Sequence, residues 1–176
     1  GGRYGLGGKD FTPSDAYAVI NNTNKFGKNH FTVGINDDIL HTNLPANNYN
    51  LNFNGTSCIF YGLGSDGTVS ANKNTIKMVG NNNSTYAQGY FVYDSKKSGS
   101  VTISHLRFSS SPILAPYNIT KADFVACHNP RFIGKYDILS SLKDNGTLLL
   151  NCNCWISRRN SCNGRRYSYI TFAWCW

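Results

Sequence analysis

The chain has 176 residues and a mass of 19.5 kDa, with 17 Lys and Arg against 9 acidic residues and a formal charge of +8. With 40% hydrophobic and 15% charged residues it has enough apolar content to fold without disulfide or metal staples, and it lies outside the charge-rich composition of disordered chains. No apolar run approaches the ~20 residues that span a bilayer, and no basic start followed by an apolar stretch opens the sequence, so neither a membrane partner nor a secretory leader is expected.

The opening GGRYGLGGKDFTP is glycine-rich and ends at Pro13, so it reads as a loop. Ser14 or Asp15 is placed to cap a short helix through Asn22, and His30 to Ile35 alternates as a strand. Residues 43 to 55 are rich in Asn and read as a connector. From Thr56 the pattern becomes regular. Ser57 to Tyr61 is a short buried strand, glycines at 62, 64 and 67 form a loop, and Val69 to Gly80 carries apolar residues at helical spacing in Val69, Ile76 and Val79. Ala87 to Tyr93 and Val101 to Phe108 read as strands around a polar turn at Asp94 to Gly99. Ala122 to Cys127 reads as a strand, Arg131 to Lys143 as a helix with Ile133, Tyr136 and Leu139 on one stripe, and Thr147 to Leu150 as a last strand. Strands alternating with helical patterns predict an α/β fold: a three-layer, Rossmann-like, mostly parallel sheet.

All nine acids are Asp and all precede residue 145. The last 26 residues, from Asn151, hold Arg158, Arg159, Arg165 and Arg166, all three Trp and four of six Cys, with no acid. The composition break sets 152–176 apart as a divergent basic tail, and the resemblance described below divides the rest into 1–50 as the end of a preceding domain and linker and 51–151 as a partial Rossmann-like domain. A shifted reading frame or a truncated gene end would explain the tail's composition.

The chemistry is concentrated in Tyr61-Gly-Leu-Gly-Ser-Asp-Gly-Thr68. A glycine loop between a buried strand and a helix lets main-chain amides point at an anion, and the helix start adds about half a positive charge. Gly64 and Gly67 keep side chains out of the way, while Ser65 and Thr68 offer hydroxyls. Asp66 suits the role of helix N-cap. No Lys-Ser/Thr pair follows, so the loop is not a Walker A sequence, and a tight turn that needs its glycines for geometry alone is the competing reading. If the strands before Gly62 and before Asp94 are parallel, their loops leave the same sheet edge. Lys96 and Lys97 then stand beside Gly64 to Thr68, as a ligand with several phosphates requires.

The strings GGRYGLGGKDFTP, KNHFTVGINDDILHTNL, IFYGLGSDGTVSANKNTIK, QGYFVYDSKKSGSVTISHLRF and KADFVACH closely resemble pyruvate:ferredoxin (flavodoxin) oxidoreductase over about residues 1 to 151. The resemblance implies oxidative decarboxylation of pyruvate to acetyl-coenzyme A, with electrons passed to ferredoxin or flavodoxin. The chain looks like the end of that enzyme's second domain and much of its third, gamma-type domain. By resemblance Gly64, Ser65, Asp66, Gly67 and Thr68 line up with the coenzyme A contact, and Lys96 with a further one, Lys97 being its neighbour. Ser70 and Ser109 stand where glycine is usual. Thiamine diphosphate, magnesium and [4Fe-4S] clusters are implied for the full-length enzyme, not for this chain, which has no C-x2-C-x2-C-x3-C-P run. The implied partners are the enzyme's remaining domains, ferredoxin or flavodoxin, and a second copy in a homodimer. The implied site of action is the cytoplasm, or a hydrogenosome-like organelle in a eukaryote, and the chain alone is expected to be inert.

The other candidates are weaker. Cys152, Cys154, Cys162 and Cys175 lack the paired spacing of a structural zinc site, and a basic aromatic tail by itself is a thin case for nucleic acid or membrane. Cys127 and His128 are adjacent on a strand, so they point to opposite faces and form no dyad. Two further functions remain open at this level. One is a stand-alone dinucleotide-binding domain with Asp94 on a ribose. The other is a secreted module, suggested by sequons at Asn21, Asn54, Asn82, Asn83, Asn118 and Asn145.

Overall fold

The computed structural model describes residues 1–4, 10–24, 27–35, 38–47, 49, 51–82, 84–93 and 100–151, and the backbone of 168–172. The chain divides into two compact units, Gly1–Phe53 with Ala115–Asn118, and Asn54–Leu114 with Ile119–Trp176.

In the first unit β1 (Gly2–Arg3) pairs parallel with β2 (Phe31–Thr32), and α1 spans Pro13–Asn24. Helix α1 starts by a reciprocal cap at Thr12, two residues before Ser14, with Asp15 as its partner. The Thr12 hydroxyl accepts from the Asp15 amide at 3.3 Å while the Asp15 carboxylate accepts from the Thr12 amide at 2.9 Å. Pro13 follows at the first helical position, where its missing N–H has no bond to lose. Ala18, Phe31, Val33 and Leu44 form this unit's small core.

The second unit is one six-stranded mixed sheet. Its strands are β3 (Thr56–Leu63), β4 (Tyr86–Tyr93), β5 (Val101–Ser109), β6 (Ala122–Cys127), β7 (Leu142–Asn151) and β8 (Ser168–Phe172), in the order β4-β5-β3-β6-β7-β8. β3, β6, β7 and β8 are parallel, while β5 runs antiparallel to both β3 and β4. β3 and β4 therefore run the same way, with β5 between them. The basic tail contributes β8, which extends the sheet beside β7.

Helix α2 (Thr68–Gly80) lies on one face over β4, β5 and β3. Its sheet side is more polar than Val69, Ile76 and Val79 suggest, because the residues it buries fully are Thr68 and Asn72. On the opposite face Ile59, Tyr61, Val101, Val125, Cys127, Leu148 and Leu150 pack with Ile119, Phe132, Ile138 and Leu142.

The helix expected over 131–143 does not form. Two 3-10 turns, Pro130–Phe132 and Leu139–Ser141, carry the crossover, and β7 already begins at Leu142. Gly134 adopts φ 81°, which ends any right-handed run, and Asp137 takes the Ser140 amide at 3.1 Å. Phe132, Tyr136, Ile138 and Leu139 still cover the core without a helix to carry them. The third layer is thus made of turns on this side. Among the described residues no helix is long and apolar enough to cross a membrane.

Candidate functional site

β3 leaves the sheet at Leu63 and turns at once. The Asp66 amide donates to the Leu63 carbonyl at 3.1 Å, closing a turn whose third residue, Ser65, sits at φ 75°. That left-handed geometry normally falls to glycine. Gly67 follows at φ 84° and is the true N-cap residue of α2, with no capping side chain of its own.

Asp66 acts from one position earlier. One carboxylate oxygen accepts the Thr68 amide at 2.8 Å and the other the Leu63 amide at 2.7 Å. Burial pulls the carboxyl upward, yet the bonds from the Thr68 hydroxyl and amide and from the Leu63 amide outweigh it, and it lies below the ordinary aspartate value. Asp66 and Thr68 are thus engaged with each other. The amides of Ser65, Gly67, Val69 and Ser70 have no partner among the described residues.

Gly62 serves a different purpose from exposing backbone to a ligand. A Cβ there would lie 2.7 Å from the Thr68 Cβ, so its bare Cα lets the start of α2 rest directly on β3.

β4 ends at the same sheet edge as β3, at Tyr93, and β5 starts there at Val101. The Gly64 amide donates to the Ser100 carbonyl at 2.8 Å, joining the glycine turn to the root of that hairpin. A cleft of ≈ 340 Å³ lies between them, walled by Leu63, Gly64, Ser65, Asp66, Gly67, Val69, Ser70, Tyr93, Ser100 and Thr102. Of the residues expected at the site, Gly64, Ser65, Asp66 and Gly67 line the cleft and Thr68 is not among its walls. Lys96, Lys97 and Asp94 lie outside the described residues. Tyr93, Ser100 and Thr102 were not anticipated, although the pairing of Tyr93 with Thr102 across the hairpin places them at its root.

His128 closes the neighbouring strand end. Its amide donates to the Tyr61 carbonyl at 2.9 Å and its ring stacks on Phe60 with centroids 6.2 Å apart. Burial lowers its pKa and the Asp66 charge partly restores it, leaving it below the ordinary histidine value. Cys127 is buried in the opposite core, so the pair forms no dyad.

Among the described residues no three His, Cys, Asp or Glu converge where a metal ion could sit. Cys58 and Cys127 are both buried, and the β3–β6 register puts them on opposite sheet faces. The described residues therefore do not fit a [4Fe-4S] cluster or a magnesium site. Cys152, Cys154, Cys162 and Cys175 lie outside them.

The family model for pyruvate ferredoxin/flavodoxin oxidoreductase matches residues 57–166, running past Asn151 into the tail. The pyruvate:ferredoxin oxidoreductase of Moorella thermoacetica is 56% identical over 154 residues, covering 86% of this chain and 13% of that protein. A putative pyruvate-flavodoxin oxidoreductase of Synechocystis is 54% identical over 157 residues, again covering 86% and 13%. The chain thus spans about an eighth of the length of these curated relatives. Among solved structures, the gamma subunit of a keto/oxoacid ferredoxin oxidoreductase from Geobacter sulfurreducens matches with TM-score 0.51 and 18% identity over 68% of this chain and 61% of that one, a likeness of fold.

Proposed function

The chain belongs to the pyruvate ferredoxin/flavodoxin oxidoreductase family, and we propose that it is the gamma-type segment of an enzyme that oxidatively decarboxylates pyruvate and forms acetyl-coenzyme A. Its own part is to hold coenzyme A at the Gly64–Thr68 turn and to dock against the enzyme's remaining domains. The thiamine diphosphate, magnesium and iron–sulfur chemistry belongs to those other domains, as do electron delivery to ferredoxin or flavodoxin and the pairing into a homodimer.

The observation that carries the reading is the cleft at the turn, where four amides without a partner among the described residues meet the N-terminus of α2. Main-chain N–H groups at a helix start suit a phosphate oxygen without the cost of reorganising. Asp66 has a supporting role, since its ionised carboxylate holds the turn closed and would repel a phosphate at contact. We assign the counter-charge to Lys96, with Lys97 next to it in the sequence. The segment supplies binding and not bond-making, because coenzyme A reacts through a thiol at the far end of a long arm.

Calorimetric titration of the chain with coenzyme A and, separately, with NAD tests this reading. Saturable binding of coenzyme A alone is expected, and NAD binding in its place would refute it. Mixed with pyruvate, coenzyme A, thiamine diphosphate and an acceptor dye, the chain alone should give no turnover.

A further inference from the structure

Among the described walls of the cleft one side chain is aromatic. Tyr93, the last residue of β4, lines the cleft and is 56% exposed, so a molecule seated there meets it directly. Among the described residues its ring packs on no other ring and carries no cation. The next aromatic on the same face of β4 is already covered. Phe91 has the Lys73 ammonium 5.4 Å from its ring centroid, and Gly89, next again on that face, lies against Ile76 of α2. Tyr86 and Tyr90 are exposed as well, but they alternate onto the opposite face of β4 and are not walls of the cleft. Tyr93 pairs with Thr102, and Thr102 with Gly62, so two strand spacings, about 10 Å, separate Tyr93 from the base of the glycine turn.

We propose that Tyr93 is the platform for the adenine base of coenzyme A, so that the cleft holds the nucleotide end of that ligand and the pantetheine arm leads out of it. The inference rests on the coenzyme A reading of the site. A base presents a flat π-face that stacks on an aromatic side chain, and such stacking needs a ring open on one side, as Tyr93 is. A ribose separates the base of a nucleotide from its phosphates, so one ligand can lay its ring on Tyr93 and a phosphate against the amides of the turn. The pantetheine arm has neither a ring nor a charge to match these two features. This orientation sends the reactive thiol away from the chain, toward the domains where the acetyl group is formed.

Calorimetry of the full chain with coenzyme A, with adenosine 3′,5′-bisphosphate and with pantetheine tests the inference, repeated on Tyr93→Phe, Tyr93→Leu and Tyr93→Ala. The bisphosphate, which carries the base and phosphates, should bind and compete with coenzyme A, and pantetheine should do neither. Phe keeps the ring and should stay within about twofold of wild type, while Leu, apolar but without a π-face, and Ala should each weaken both nucleotide ligands about tenfold. Tyr93 is exposed on a strand at the end of the sheet order, so all three variants should melt close to the wild-type temperature. Equal affinity in wild type and the Leu and Ala variants would overturn the role of Tyr93 and leave the coenzyme A reading standing, as would binding of pantetheine without the bisphosphate. Absence of coenzyme A binding to wild type would overturn both.

Discussion

The Asp66 carboxylate bridges the end of β3 and the start of α2, taking the Leu63 amide at 2.7 Å and the Thr68 amide at 2.8 Å. It supplies from within the chain the negative charge that a helix start attracts, so the turn is organised before any ligand arrives.

Replacing Asp66 by Ala should therefore cost about 1 kcal/mol of stability at neutral pH, the usual worth of a capping acceptor. The folded carboxyl has the lower pKa, so its stabilisation is complete above the unfolded value of about 4 and is lost as pH falls through the folded one. Urea denaturation of wild type and Asp66→Ala at pH 7 and at pH 3 should show a gap that narrows in acid. A gap that stays constant would mean that the carboxylate charge plays no part.

Gly62 and Gly67 should fail for different reasons when changed to Ala. At Gly62 the new Cβ meets the buried Thr68 Cβ at 2.7 Å and its Oγ1 at 2.8 Å, so the start of α2 has to move. Overpacking of this kind costs about 1–3 kcal/mol. At Gly67 nothing stands within 4 Å, and only the left-handed φ of 84° is penalised, by about 1 kcal/mol. Gly62→Ala should also weaken coenzyme A binding, because the displaced segment carries the free amides. Equal stability losses, with binding intact in both variants, would contradict this account of the turn.

β3 to β7 and α2 were legible in the sequence because the apolar run in Ser57–Tyr61, the alternation in Val101–Phe108 and the glycine punctuation before Val69 are local signals, whereas β8 lies in the tail that composition had set apart. The region 131–143 misled because its apolar residues do line the core, at Phe132, Ile138 and Leu142, and spacing alone does not distinguish a helix from turns that present the same side chains. Only Gly134 at φ 81° and the Asp137–Ser140 bond decide the matter, and both depend on conformation. The same limit applies to the site. The glycine turn is contiguous and could be read, whereas Tyr93, Ser100 and Thr102 join it through strand pairing, which requires knowing that β5 lies between β3 and β4.

Cys58 illustrates burial without function. Desolvation, with the Asp123 charge adding to it, pushes its thiol up to about 11. Only the thiolate alkylates, so at pH 8 the folded chain should leave Cys58 unmodified by iodoacetamide, as judged by peptide mass mapping, while urea-unfolded chain should be labelled there. Rapid labelling of Cys58 in the folded state would mean that β3 opens far more readily than its place in the sheet interior implies.

The Asp66–His128 coupling makes the strand end responsive to pH in a defined direction. Burial lowers the histidine pKa and the Asp66 charge opposes that shift. Removing the charge by Asp66→Asn should therefore lower the His128 pKa further, readable in an NMR titration of the ring protons assigned against His128→Gln. Because the folded value lies below the unfolded value of about 6.5, the unfolded chain binds more protons in this range. Neutral His128 thus contributes stability above about pH 6.5 that is lost as pH falls toward the folded value, and His128→Gln should flatten that part of the stability profile. A His128 pKa that rises in Asp66→Asn would show that the carboxylate does not act on the ring as a charge, and would separate the chemistry of β6 from that of the glycine turn.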